Sequence, residues 1–183
     1  MKSYLQPVLF VTGLLLVQNA LADEMEKKFT VGIGTYALNI AYDNAPAGSD
    51  DELSGFGLSA SYAFADVFGI RGELYSLNHD DFSNIDDSGI DIVAYIGTNL
   101  AKQGFKAYIG GGLFNETWKF GPTEEDFNGL QLSGGIGYNW DVVALDFVLG
   151  IRDPSDYEDL LQSIGISTDA AAASGSLILS GRF

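Results

Sequence analysis

The 183-residue chain carries 25 Asp and Glu against 9 Lys and Arg, a formal net charge of −16. That balance excludes nucleic acid as a partner, because its recognition needs a basic footprint. The absence of cysteine excludes disulfides as a source of stability. Beyond the N-terminal stretch no apolar run is long enough for a transmembrane helix; such a chain could enter a bilayer only as a closed barrel.

In chain order, the first feature is a basic start at Lys2, an apolar run from about Val8 to Val17 and a closing Ala20-Leu21-Ala22. This is the pattern of a cleaved secretory signal peptide over residues 1–22. It leaves a single domain over 23–183, beginning near Asp23, in an exported protein.

The remainder shows almost no helical periodicity. Alternation of apolar and polar residues dominates, as expected of half-buried strands. In 56–64 every even position is apolar. Phe68, Ile70 and Leu74 oppose Arg71, Glu73 and Tyr75. Ile90, Ile92, Ala94, Ile96 and Leu100 oppose Asp91, Val93 and Tyr95. Leu130, Leu132, Ile136, Tyr138 and Trp140 oppose Gln131, Ser133 and Asn139. Val143, Leu145, Phe147, Leu149 and Ile151 oppose Asp146 and Arg152, and Leu177, Leu179 and Phe183 oppose Ser176, Ser180 and Arg182. Two further runs change phase. Phe29-Val31-Ile33 gives way to Tyr36-Leu38-Ile40-Tyr42, and Ala107-Ile109 gives way across Gly110-Gly111-Gly112 to Phe114 and Trp118. Glycines within a strand often mark a bulge, and a bulge is the expected cause of both changes. The total is eight strands.

Their connections alternate. Ala65-Asp66, "AKQG" and Asn139-Trp140-Asp141 are tight, whereas "DNAPAGSDDE", "NHDDFSNIDDSG", "KFGPTEEDFNG" and "DPSDYEDLLQSIGISTDA" are long and acidic. Short turns at one end and long loops at the other are the asymmetry of membrane barrels. The pattern therefore predicts an all-β fold, an eight-stranded antiparallel up-and-down transmembrane β-barrel with its apolar face outward. Aromatic residues gather at the strand ends. Phe64, Phe68, Phe105, Trp140 and Phe183 fall at the short-turn end, with Tyr42, Phe56 and Trp118 near the loop end. They are expected to form girdles at the two membrane interfaces.

The opposite face carries Arg71, Glu73, Asp91, Lys106, Asp146, Arg152 and Arg182. A barrel of eight strands is just wide enough for side chains to fill it, and unpaired buried charge is strongly unfavourable. These seven residues are expected to form an ion-pair plug in the lumen, with Glu73 and Asp146 sharing Arg71. The competing reading is a narrow ion path.

Other signals are weaker. His79, the single histidine, could be grouped with Ser76 and Asp80 as a catalytic set, but nothing else supports catalysis, and a surface histidine in an acidic loop is the expectation. No enzyme activity and no cofactor are expected. The loops hold 16 of the 25 acidic residues. Clusters such as Asp50-Asp51-Glu52, Asp80-Asp81, Asp86-Asp87 and Glu124-Glu125-Asp126 could hold Ca²⁺ or Mg²⁺ but lack the ligand spacing of a calcium loop. A solvated, self-repelling acidic crown fits them better, with divalent bridging to lipid phosphates between the two readings. Asn115-Glu116-Thr117 matches a glycosylation pattern by chance. "DYEDLLQSIG" is read as a short amphipathic helix with Leu160, Leu161 and Ile164 on one side.

On these features together the chain resembles the small eight-stranded outer-membrane β-barrels of Gram-negative bacteria, the OmpX and OmpA transmembrane-domain family, over residues 29–183. In that family the last strand ends in an aromatic residue that, with apolar residues alternating back from it, acts as a signal to the barrel-assembly machinery. Leu177, Leu179 and Phe183 match this spacing, while Gly181 is smaller than the usual residue. The resemblance implies a monomer in the bacterial outer membrane, in contact with outer-membrane lipid and lipopolysaccharide. It implies a structural or surface-interaction role, with an extracellular partner reached through the loops. A small pore is the second reading, with a lipid-modifying enzyme and a soluble lipid-carrying barrel behind it.

Overall fold

A computed structural model describes residues 26–43, 50–80, 82 and 85–183; the segment 1–22, expected to be a signal peptide, lies outside them. Eight strands follow one another in chain order: β1 Phe29–Tyr42, β2 Asp51–Ala65, β3 Phe68–His79, β4 Ile85–Thr98, β5 Gly104–Phe120, β6 Thr123–Asn139, β7 Val143–Arg152 and β8 Ala170–Arg182. Among the described residues one helix, α1 (Ser155–Ser163), lies in the β7–β8 connection. Each strand pairs antiparallel with its sequence neighbours, and β1 pairs with β8 to close the barrel. The seam runs from Thr30 opposite Arg182 to Tyr42 opposite Ala170. Phe29 and Phe183 exchange two backbone hydrogen bonds, 3.2 and 2.8 Å, at its lower end. Closure leaves no strand edge to template aggregation.

Neither expected bulge exists. The β1 register runs unbroken from Phe29↔Tyr62 to Ile40↔Asp51, and β5 runs unbroken from Ile85↔Phe120 to Thr98↔Ala107. The side chains alternate without interruption; the chemistry assigned to each face is what changes. In the lower part of the barrel, the short-turn end, apolar residues point outward. Ile33, Leu58, Ile109, Leu113, Leu132 and Ile151 are each 59–71% exposed. Higher up, the same outward positions become polar, as at Glu52, Ser54, Asn78, Ser88, Asn115 and Asn128. There the inward positions become apolar: Leu38, Ile40, Leu53, Leu77, Phe114, Trp118 and Phe127 are buried together with Tyr157 of α1. The barrel thus inverts its polarity partway up.

The outer apolar belt reaches from Phe56 to Phe64 on β2 and from Leu130 on β6 to Trp140 just past its end. These stretches match the roughly 9–11 residues a tilted strand needs to cross a bilayer. β5 and β6, at 17 residues each, continue well past it. The third "long loop" is therefore a continuation of strand. Pairing persists to Phe120↔Thr123, and Gly121, at φ +64°, turns the chain in two residues, a conformation that favours glycine. Asp51, Glu52, Asp86 and Asp87 likewise belong to strands.

Trp118 does not join a girdle on the outer face. It is 3% exposed, inside the upper barrel against Phe120, Phe127 and Tyr157. Tyr42, also expected at that interface, donates to Asp51 at 2.6 Å and packs against the upper core. At the lower end Phe64, Phe68, Phe105, Trp140 and Phe183 do lie on the outer face. Phe64 stacks on Phe68 and Trp140 packs on Tyr138. Leu177 and Leu179 face outward on β8, in line with Phe183.

Candidate functional site

The lumen gathers most of the chain's buried charge, in layers. Its floor is the β4–β5 turn. Asn99 at φ +54° and Gly104 at φ +122° fold this turn under the barrel so that Leu100 and Ala101 are buried against Ala63, Tyr95 and Tyr108. Asp66 accepts from the Leu100 and Ala101 amides at 3.0 and 3.2 Å. Asn139 donates to the carbonyls of Asn99 and Lys102 at 2.8 and 3.0 Å. Arg182 donates to the carbonyls of Ala101, at 2.8 Å, and Trp140. It holds the floor.

Above it Lys106 pairs with Asp146 at 2.8 Å. Arg71 reaches Glu73 at 4.0 Å and meets Asp146 through a tyrosine: its guanidinium donates to the Tyr108 hydroxyl (2.9 Å), which donates on to Asp146 (3.1 Å). The expected sharing of Arg71 by Glu73 and Asp146 is thus direct on one side and relayed on the other. Inward glycines make room for the tyrosines. A Cβ on Gly135 would stand 2.4 Å from the Tyr108 ring, and one on Gly69 2.8 Å from the Tyr95 ring.

The upper layer centres on Arg152, 2% exposed. It pairs with Asp91 at 2.8 Å and with Glu116. It also donates to the hydroxyls of Tyr36 and Tyr75 at 2.8 and 3.0 Å. Those hydroxyls donate in turn to Asp91 (2.6 Å) and Glu116 (2.9 Å). Glu116, fully buried, also accepts from Trp118 at 3.0 Å and Tyr157 at 2.8 Å. Four donors from four elements converge on one carboxylate and lock α1 onto the barrel mouth. Burial raises the Tyr157 hydroxyl well above its ordinary range, so it stays a donor. Two cavities of about 20 Å³ each lie along the lumen, one between the charged layers, lined by residues such as Glu73, Asp91 and Gln131, and one above the floor, lined by residues such as Leu100, Lys106 and Asp146. Each has room for about one water molecule.

The sequence reading does not single out Glu116, because a bulge at Gly110–Gly112 would turn it outward. Unbroken alternation from Lys106 places it inward, and that signal was available. His79 is no surface residue. It is 4% exposed and meets Asp51 at 3.1 Å. Ser76 points outward from the same strand while His79 points inward, and Asp80 accepts from Ser54 at 2.7 Å. A nucleophile and base must meet; these two stand on opposite faces. Among the described residues no group of three or more His, Asp or Glu side chains converges as a metal site.

A closed eight-stranded up-and-down barrel with a paired, side-chain-filled interior and an apolar outer belt is the architecture of the small outer-membrane β-barrels. Solved structures of that kind resemble it. Ail, the attachment invasion locus protein of Yersinia pestis, matches at TM-score 0.56 and 16% identity, over 87% of this chain and 100% of that one. Neisserial surface protein A matches at TM-score 0.55 and 15% identity, over 85% and 97%. The N-terminal β-barrel domain of Pseudomonas aeruginosa OprF matches at TM-score 0.53 and 11% identity, over 87% and 100%. At these identities the likeness is one of fold. No family model and no curated protein matches the chain.

Proposed function

We propose that the chain is an integral outer-membrane protein whose barrel serves as an anchor and a surface platform, not as a conduit. The observation that carries this reading is the dry cap over the lumen. Leu38, Ile40, Leu77, Trp118 and Phe127 are each no more than 3% exposed, directly above the Arg152 layer. A hydrated ion would have to strip its water to pass them, and then pass the Leu100–Ala101 floor as well. Barrels of this size are filled by side chains, and both ends here are closed in addition.

The outward apolar belt supports membrane residence, since some thirty large apolar side chains on one surface have no place in water. Outer-membrane lipid and lipopolysaccharide would surround the belt. Leu177, Leu179 and Phe183 would be read by the assembly machinery, and the protein would act as a monomer. Ail has been solved with the heparin analogue sucrose octasulfate. The crown of this chain, with Glu52, Asp80, Asp86, Glu124, Glu125, Asp156 and Asp159 around a lone basic strand residue, Lys119, would repel such a polyanion. Its partners would be cationic or bridged by divalent cations.

Conductance of the refolded protein in a planar bilayer tests the proposal, with folding verified by its heat-dependent gel mobility. A silent bilayer is expected. Stable unitary steps that change on Trp118→Ala would make the lumen a pore and overturn it.

A further inference from the structure

Among the described residues, each fully buried carboxylate of the barrel wall but one has a cation. Glu73 has Arg71, Asp91 and Glu116 share Arg152, and Asp146 has Lys106. The exception is Asp87 on β4. It is 1% exposed, and neither of its carboxylate oxygens is hydrogen-bonded to another side chain. Its cross-strand neighbours are Leu77 on β3 and Trp118 on β5, both part of the dry cap. An isolated carboxylate in such surroundings is costly enough that the group neutralises instead. A metal ion would need more ligands than converge there, since no such group exists among the described residues. A proton needs only the one oxygen.

We infer that Asp87 is a neutral carboxylic acid in the folded protein, a proton-loaded residue beneath the extracellular cap whose ionisation loosens that cap. The charged groups acting on it are Glu116 on β5, Arg152 on β7 and Asp91 on its own strand; Tyr36, Tyr75 and Tyr157 belong to the buried cluster of its neighbours Leu77 and Trp118, and His79 follows Leu77 on the inward face of β3. Asp87 lies above the apolar belt, in the sector with water outside the wall. Burial pushes its carboxyl up to about 8; Glu116 and Asp91 add to the effect, and Arg152 and the Ser88 amide oppose it. The unfolded chain loses this proton at about pH 4. The folded state therefore binds one more proton between about pH 4 and about pH 8, and stability falls across that window and levels off above it. In the native state the cap itself would change near the upper limit.

The device couples external pH to the outer mouth: in acid or neutral surroundings the cap is closed, and in alkaline surroundings Trp118 gains access to water. Two measurements on the full-length, detergent-refolded protein test it. The apparent unfolding temperatures of wild type and Asp87→Asn are compared across pH. The gap in favour of the variant is expected to widen from about pH 4 to about pH 8 and then hold constant. A gap that does not change with pH would overturn the inference and assign any remaining slope to other groups. Infrared difference spectroscopy of the wild type needs no variant. A protonated-carboxyl C=O band that disappears on titration past about pH 8 is expected, and its absence at neutral pH would overturn the inference even if Asp87→Asn fails to fold.

Discussion

Tyr36 and Tyr75 stack across the lumen, ring centroids 4.4 Å apart and 15° from parallel, with the Arg152 guanidinium bonded to both hydroxyls. This pair marks the level at which the barrel changes character. Below it the interior is ionic and the exterior apolar; above it the interior is apolar and the exterior polar. The stack is aromatic on one side and hydrogen-bonded on the other, so it satisfies both regimes at once.

Arg152 is the cation on which the upper layer depends. Arg152→Met would leave Asp91 and Glu116 buried without their partner, and breaking a buried pair in this way costs about 3–5 kcal/mol. Adding Glu116→Gln should recover part of that loss. Equilibrium denaturation of the two variants in micelles checks the order, with the double variant expected between the single one and wild type.

The two tryptophans occupy opposite environments. Trp118 lies inside the cap and Trp140, 45% exposed, on the outer face near the short turns. Trp118→Ala should cost about 3–5 kcal/mol, the range for emptying an aromatic site in a core. In liposomes, quenchers carried on lipid chains should dim Trp140 and leave Trp118 nearly unchanged. The reverse pattern would return Trp118 to the outer surface.

Gly135 and Gly175 separate steric need from strand propensity. Gly135→Ala drives a methyl into the Tyr108 ring at 2.4 Å and should cost about 1–3 kcal/mol by overpacking. Gly175→Ala meets nothing nearer than Leu149 at 3.5 Å and should change stability by less than about 0.5 kcal/mol. Heat-dependent gel mobility compares the two directly.

Much of this was legible in the sequence. Strict alternation in β3, β4, β6, β7 and β8 gave the strand count, the closure and the inward Arg71, Glu73, Asp91, Asp146 and Arg152. The errors share one cause. In β1 and β5 the apolar residues change sides because the medium outside the wall changes, and an expectation of constant polarity along a strand converts that change into a bulge. Trp118 was turned to the wrong face and Glu116 was lost as a result. Trusting the backbone period of two over the chemistry would have placed both. The unpartnered state of Asp87 had no such signal, because pairing inside a barrel depends on which side chains reach across it.

A charge placed on the outer face should report the same boundary. Leu132→Arg, in the middle of the belt, should cost about 2–4 kcal/mol. Asn128→Arg, four residues higher on the same face of β6, should stay within about 0.5 kcal/mol. Denaturation from lipid vesicles measures both, and equal costs would mean that no interface lies between them.

The most direct test follows the outer face of β5 past the boundary. The chain has no cysteine, so single cysteines at Ile109, Leu113, Asn115 and Thr117 can carry nitroxide labels without background. In a reconstituted bilayer, labels at 109 and 113 should be relaxed by oxygen dissolved in lipid and ignore a water-soluble relaxant, and labels at 115 and 117 should do the opposite. Water access at all four positions would contradict the account and make the barrel a soluble one.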